Sequence, residues 1–112
     1  MAQNQKLWGT VQTVKITASA VRAAGDLVHE GNWYGVCVDT IANAATGMIH
    51  IRGVFELTKN SAAQVIASGD RIEFVNGGKV QKADTGIEIG KAYESSGNGV
   101  TTVLVELMPE LY

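Results

Sequence analysis

The stretch Met48–Lys59, MIHIRGVFELTK, decides how this chain is read. Ile49, Ile51, Gly53, Phe55 and Leu57 take its odd positions, while His50, Arg52, Glu56 and Thr58 take even ones. Apolar residues at every second position mark a half-buried β-strand, with one face for a core and one for water. Val54, like Met48 at the start, is an apolar exception on the face assigned to water. Gly53 interrupts the apolar row, and a missing side chain there predicts a bulge, a bend or the close approach of another backbone. A long strand bent near its middle can turn the corner of a barrel.

Working outward, 112 residues fit one domain with a modest core that needs neither disulfides nor a metal. Charged residues make up 18% of the chain and the formal net charge is −2, so no basic footprint for nucleic acid or an anionic membrane exists. A surface short of charge suits a protein that lies against other protein. Cys37 is the single cysteine, which excludes an intrachain disulfide and the paired spacings of zinc sites, and it reads as a buried residue on a strand. The start, MAQNQKLWG, has no apolar core of a secretory signal, and no run approaches the roughly 18 apolar residues of a membrane span. Synthesis in a cytoplasm is the default expectation.

Along the chain, residues 1–10 are polar and aperiodic and read as an arm, flexible or held by a partner. Trp8 ends that arm and is expected either to fold back on the barrel or to dock on another subunit. Val14, Ile16 and Ala18 alternate with Thr13, Lys15 and Thr17 as a first strand. Two stretches then resemble each other, Ala23-Ala24-Gly25-Asp26-Leu27-Val28 and Ala67-Ser68-Gly69-Asp70-Arg71-Ile72. In each, Gly supplies a positive φ and Asp bonds back to the local main chain, as a tight turn into a strand requires. Each is followed by a glycine-bearing strand, Tyr34–Val38 and Ile87–Ala92, so the chain carries a weak internal duplication.

Ser61–Ala67 is the one candidate helix, capped by Ser61 or Asn60 and two turns long at most. Arg71–Val75 and Lys79–Gln81 flank Asn76-Gly77-Gly78, the strongest hairpin signal in the chain. Thr101–Leu107 alternates as a closing strand, and Pro109 ends the sheet near Met108. The sum is an all-β fold, a small β-barrel or sandwich of about seven or eight short strands with at most one short helix near 61–67. Its domain spans residues 11–108, with 109–112 as a C-terminal tail.

Chemistry finds little to use. His29 and His50 stand apart, without the spacing of a metal or hydrolase motif. Asp26 and Asp70 are explained by their turns, and the glycine pairs near 77 and 97 match no phosphate-binding loop. Lys79 follows a hairpin glycine as in swinging-arm carrier domains, but Gly78 and Val80 replace the residues those domains place beside the lysine. The expectation is a protein that is not an enzyme, with no catalytic residues, metal or cofactor. Contact residues are then sought among large aromatics with a polar handle: Trp8, Trp33 and Tyr34. Trp33 and Tyr34 are adjacent on a strand and must point to opposite faces. Core packing is the first expectation for either one.

The order of landmarks carries a resemblance. Ala24-Gly25-Asp26-Leu27-Val28, Tyr34-Gly35-Val36, Gly53-Val54-Phe55-Glu56-Leu57-Thr58-Lys59, Ser68-Gly69-Asp70, Ile89-Gly90-Lys91-Ala92 and Thr101–Leu107 follow one another. Over Thr13–Leu107 the chain resembles the capsid cement, or decoration, proteins of tailed phages and prophages. The strand after the hairpin departs from the family pattern, with Lys91 after Gly90. The resemblance implies an accessory virion protein on the outer surface of the phage head, whose partner is the major capsid protein and which stabilises the assembled lattice. Symmetry at three-fold positions implies a homotrimer. The alternative is a virion-surface binding or host-attachment module, such as the base of a head fibre.

Overall fold

The computed structural model describes residues 12–112. Eight strands follow in order: β1 (Gln12–Thr17), β2 (Leu27–Glu30), β3 (Trp33–Cys37), β4 (Thr46–Thr58), β5 (Arg71–Val75), β6 (Lys79–Lys82), β7 (Glu88–Ala92) and β8 (Thr102–Leu107). All form one antiparallel sheet in the order β2-β3-β4-β8-β7-β5-β6, with β1 on β4. The far edge, β6, returns to the end of β4: Lys59 bridges Val80, and Asn60 N–H donates to the Val80 carbonyl at 2.7 Å. The result is a nearly closed barrel, in keeping with the all-β expectation.

β4 organises the barrel. Its odd residues Ile49, Ile51, Gly53, Phe55 and Leu57 are all buried. The first two join a cluster with Ile16, Val28, Cys37 and Ile41, whereas Phe55 and Leu57 join a larger one with Ile72, Val80, Ile89, Val103 and Val105. One apolar row therefore feeds two cores, and Gly53, with φ 132°, lies between them in a region that L side chains rarely enter. β1 and β3 pair with the first half of β4, and β8 pairs with the second half from Gly53–Leu107 to Thr58–Thr102. The outer face is drier than its alternation implies, since Val54 is also buried.

The internal duplication appears as repeated hydrogen bonding. Gly25 and Gly69 donate to the carbonyls of Cys37 and Ala92 at 2.9 and 2.8 Å, and Cys37 and Ala92 return bonds to Asp26 and Asp70 at 2.9 and 2.8 Å. Arg22 and Ile41 exchange a pair of main-chain bonds, as do Ile66 and Ser96. Gly35 and Gly90 occupy matching sites of close approach: a Cβ would lie 2.3 Å from the His50 carbonyl oxygen in one and 2.1 Å from that of Glu106 in the other.

Residues 61–67 are not helical. Gln64 N–H closes a turn on Ser61, and Ile66 is then held extended by Ser96, so its buried side chain joins the core. Seven residues gain too few intrahelical bonds to outweigh nucleation, and the strand-like partner wins. The helical turn lies instead at Pro109–Leu111, a single 3₁₀ turn.

Three buried charges tie down loops. Lys59 Nζ, inside the barrel, donates to Gly97 O at 3.0 Å, Ser96 Oγ at 3.2 Å and Ala62 O at 3.4 Å. Glu30 accepts from Ser19 N–H and Oγ and from Arg22. Glu73 accepts from the N–H groups of Asp84 and Gly86, both at 2.8 Å, and from Gln81. Burial alone would raise the pKa of either carboxyl, but these donors stabilise the charged form and the net shift is downward.

Gly90→Ala must push a methyl into the Glu106 main chain and should cost about 1–3 kcal/mol or more, whereas Gly97→Ala, with open space at its Cβ, should stay within about 0.5 kcal/mol. Denaturant melts of the two variants compare them directly. Because Glu30 and Glu73 titrate below their unfolded value of 4.5, they add stability above it that is lost as pH falls through the folded pKa. Urea midpoints should therefore drop below pH 4.5, and Glu73→Gln should lower the neutral-pH midpoint and flatten that acid limb.

Candidate functional site

The β2–β3 hairpin turns through Gly31, whose φ is 61°, and delivers Trp33 and Tyr34 to opposite faces. Tyr34 is buried, 8% exposed, while Trp33 is 39% exposed and does not pack in the core. Tyr34 heads an aromatic cluster. His29 stacks on it at 4.1 Å and 8°, Phe74 meets it edge-on at 5.1 Å, and Tyr112 meets it edge-on at 4.9 Å. Such geometries suit the ring quadrupoles and add to simple burial.

β3 and β4 pair at Val36–His50 and Cys37–Ile49. Two residues before Val36, the Tyr112 hydroxyl donates to the Tyr34 carbonyl at 2.9 Å and accepts from its N–H at 3.3 Å. The phenol thus stands where a ladder partner would, and burial pushes its pKa up. Arg52 forms an ion pair with Glu110 beside it, which raises the Arg52 pKa and lowers that of Glu110. Between the hairpin, the middle of β4 and the C-terminal turn lies an open groove of ≈ 820 Å³, lined by Trp33, Tyr34, Ile51, Ile87, Pro109 and Tyr112 among others. Ile87 and Trp33 leave apolar surface in water at its mouth.

The remaining residues singled out by the sequence lie elsewhere. Gly25, Gly69 and Gly77 have φ of 88°, 90° and 96°. Asp26 and Asp70 each accept from the main-chain N–H three residues back, Ala23 and Ala67, at 2.9 Å. Asn76 opens the β5–β6 turn and lines a small polar cleft with Asp26 and His29. Trp8 and the arm lie outside the described residues. Ile87 and Tyr112 were not legible as groove residues from the sequence. For Tyr112 the reason is that a residue beyond the last strand carries no periodicity.

Burial governs the Cys37 thiol and the His50 imidazole. The Cys37 thiol is buried and pushed up to about 11, chiefly by burial, so it is a poor nucleophile at neutral pH. His50 is pushed down by burial. Among the described residues, no group of three or more His, Cys, Asp or Glu side chains could hold a metal ion, and no helix is long and apolar enough to cross a membrane. What the groove offers is apolar and aromatic contact area with an ion pair on its rim.

The fold has a counterpart in a solved structure. The crystal structure of head fiber gp8.5 N base in bacteriophage phi29 superposes with a TM-score of 0.54, covering 89% of this chain and 96% of that one at 15% sequence identity. At that identity the likeness is one of fold. No curated protein matches the chain. A family model described as phage cement protein matches residues 8–107, a span that takes in all eight strands and the hairpin bearing Trp33. The chain belongs to the phage cement protein family.

Proposed function

We propose that this protein binds the outer surface of the assembled phage head, where major capsid subunits meet, and reinforces the lattice without catalysing a reaction. The family match over residues 8–107 carries this reading. A ligand that binds only the assembled lattice stabilises it by its binding free energy, repeated at every occupied site. The barrel is suited to such a role, because its buried charges stiffen loops and its glycines hold strands close, leaving little ordering entropy to be lost on docking. Three-fold lattice positions favour a homotrimer made in the host cytoplasm and carried on the virion.

Trp33 is the residue assigned to capsid contact. Its indole is the exposed aromatic beside the groove, and Tyr34 behind it, locked by Tyr112, fixes its position. Trp8 is the second candidate from the sequence. A second reading, the base of a head fibre, is favoured by the likeness of fold to the phi29 protein.

Cosedimentation with DNA-free shells of the cognate major capsid protein, before and after expansion, separates the two. Cementing gives saturable binding to shells and a raised shell melting temperature; no binding to either form removes it and turns attention to cells and glycans. Trp33→Ala should lower shell affinity by about tenfold or more, the size of an aromatic contact residue. The same change should move the protein's own melting midpoint little, because Trp33 is not part of the core.

A further inference from the structure

The groove begins where the described chain begins. Gln12, the first residue of β1, pairs with Arg52, and Arg52 lines the groove. A register shift between Gln12 and Thr13 bends the strand at that point. His50 pairs with Thr13 on one side and with Val36 on the other, so β1 and β3 flank β4, and Trp33 lies two strand spacings, about 10 Å, from Gln12. The eleven residues before Gln12 read MAQNQKLWGTV, in which Trp8 is the one aromatic and Lys6 the one charge. Trp8 stands four positions before Gln12, and four extended residues span up to about 14 Å.

The chemistry of the groove favours an indole over a polar ligand. Its polar groups are spent on one another: the Tyr112 hydroxyl on the Tyr34 main chain, and Arg52 on Glu110. The His29 ring is stacked on Tyr34. What stays open at the mouth is Ile87, 48% exposed, and the Trp33 ring. One exposed apolar side chain means little, but these two face a single concavity. At ≈ 820 Å³ that concavity has the size of sites that enclose a small ligand, more than one indole needs. The family match begins at residue 8, so it takes in Trp8 and leaves out residues 1–7. Trp8 therefore belongs with the barrel rather than with what precedes it.

We propose that the groove is the seat of the chain's own N-terminal arm: residues 8–11 cross Arg52 and place the Trp8 indole on Ile87, Pro109 and Tyr112, beside Trp33. The tether favours the arm of the same copy, since a short linker holds its segment at an effective concentration near millimolar, above that of a second copy in dilute solution. A seated indole covers apolar surface that the barrel otherwise leaves in water. It also joins the two tryptophans of the chain into one aromatic patch at the β2–β3 hairpin. This inference does not rest on the cementing reading and is tested without shells.

Trp33→Phe keeps an aromatic ring on the groove wall and leaves Trp8 as the only tryptophan, so its fluorescence reports the arm alone. The test is acrylamide quenching of Trp8 in that variant, in the same variant carrying Ile87→Asp or Ile87→Ser, and in the free peptide of residues 1–11. Circular dichroism melts check that each variant folds. A seated arm gives quenching about threefold or more weaker than the peptide's, loss of most of that protection in the Ile87 variants, and no change on dilution. Quenching equal to the peptide's overturns the proposal. So does protection that survives both Ile87 changes, which puts Trp8 elsewhere. Protection that disappears on dilution assigns the groove to the arm of a neighbouring copy and overturns seating by the chain's own.

Discussion

The structure depends on one strand serving two cores. β4 carries a single inward row from Ile49 to Leu57, and a straight strand could not keep that row facing the Cys37–Ile41 cluster at one end and the Ile72–Val105 cluster at the other. The glycine at position 53, at φ 132°, lets the backbone adopt the conformation that divides them. Because β1, β3 and β8 all pair with β4, its course sets theirs, and the bridge from Lys59 to Val80 then brings the far edge of the sheet home. Closing the sheet also reduces exposed strand edge, which would otherwise be open to pairing with other chains.

Around that strand, ionisable groups are used as fasteners. A buried ammonium or carboxylate costs desolvation unless its bonds are filled. Lys59 finds two carbonyls and a hydroxyl, and Glu73 finds two main-chain N–H groups and an amide. Lys59 draws together the loops at Ala62 and Gly97, and Glu73 holds the β6–β7 connection against β5, without helices or disulfides. The same arrangement withdraws these charges from the surface.

The barrel itself says little about function, for such folds host many activities. What connects this one to a phage head is the family match; the surface adds an exposed Trp33 at an aromatic corner. The aromatic corner shows how local this control is. Tyr112 replaces a missing stretch of ladder with one hydroxyl and so fixes the backbone from which Trp33 projects.

The sequence by itself determined the strands. Alternation in Met48–Lys59, the Asn76-Gly77-Gly78 turn and the two Gly-Asp turns are local signals, since strand period and turn conformation are written within a few residues. The opposed directions of Trp33 and Tyr34 followed from the same period, though not which one would be buried. Tertiary structure decided that through Tyr112, which lies 78 residues from Tyr34 and outside any periodic run. It likewise decided that 61–67 would be extended, because Ser96 supplies main-chain partners that no local propensity reveals. It turned Lys59 inward and buried Val54 on a face that alternation assigned to water. Local pattern fixes what a segment can be; which neighbour satisfies its polar groups and covers its apolar ones depends on chain closure, and only the folded barrel sets that.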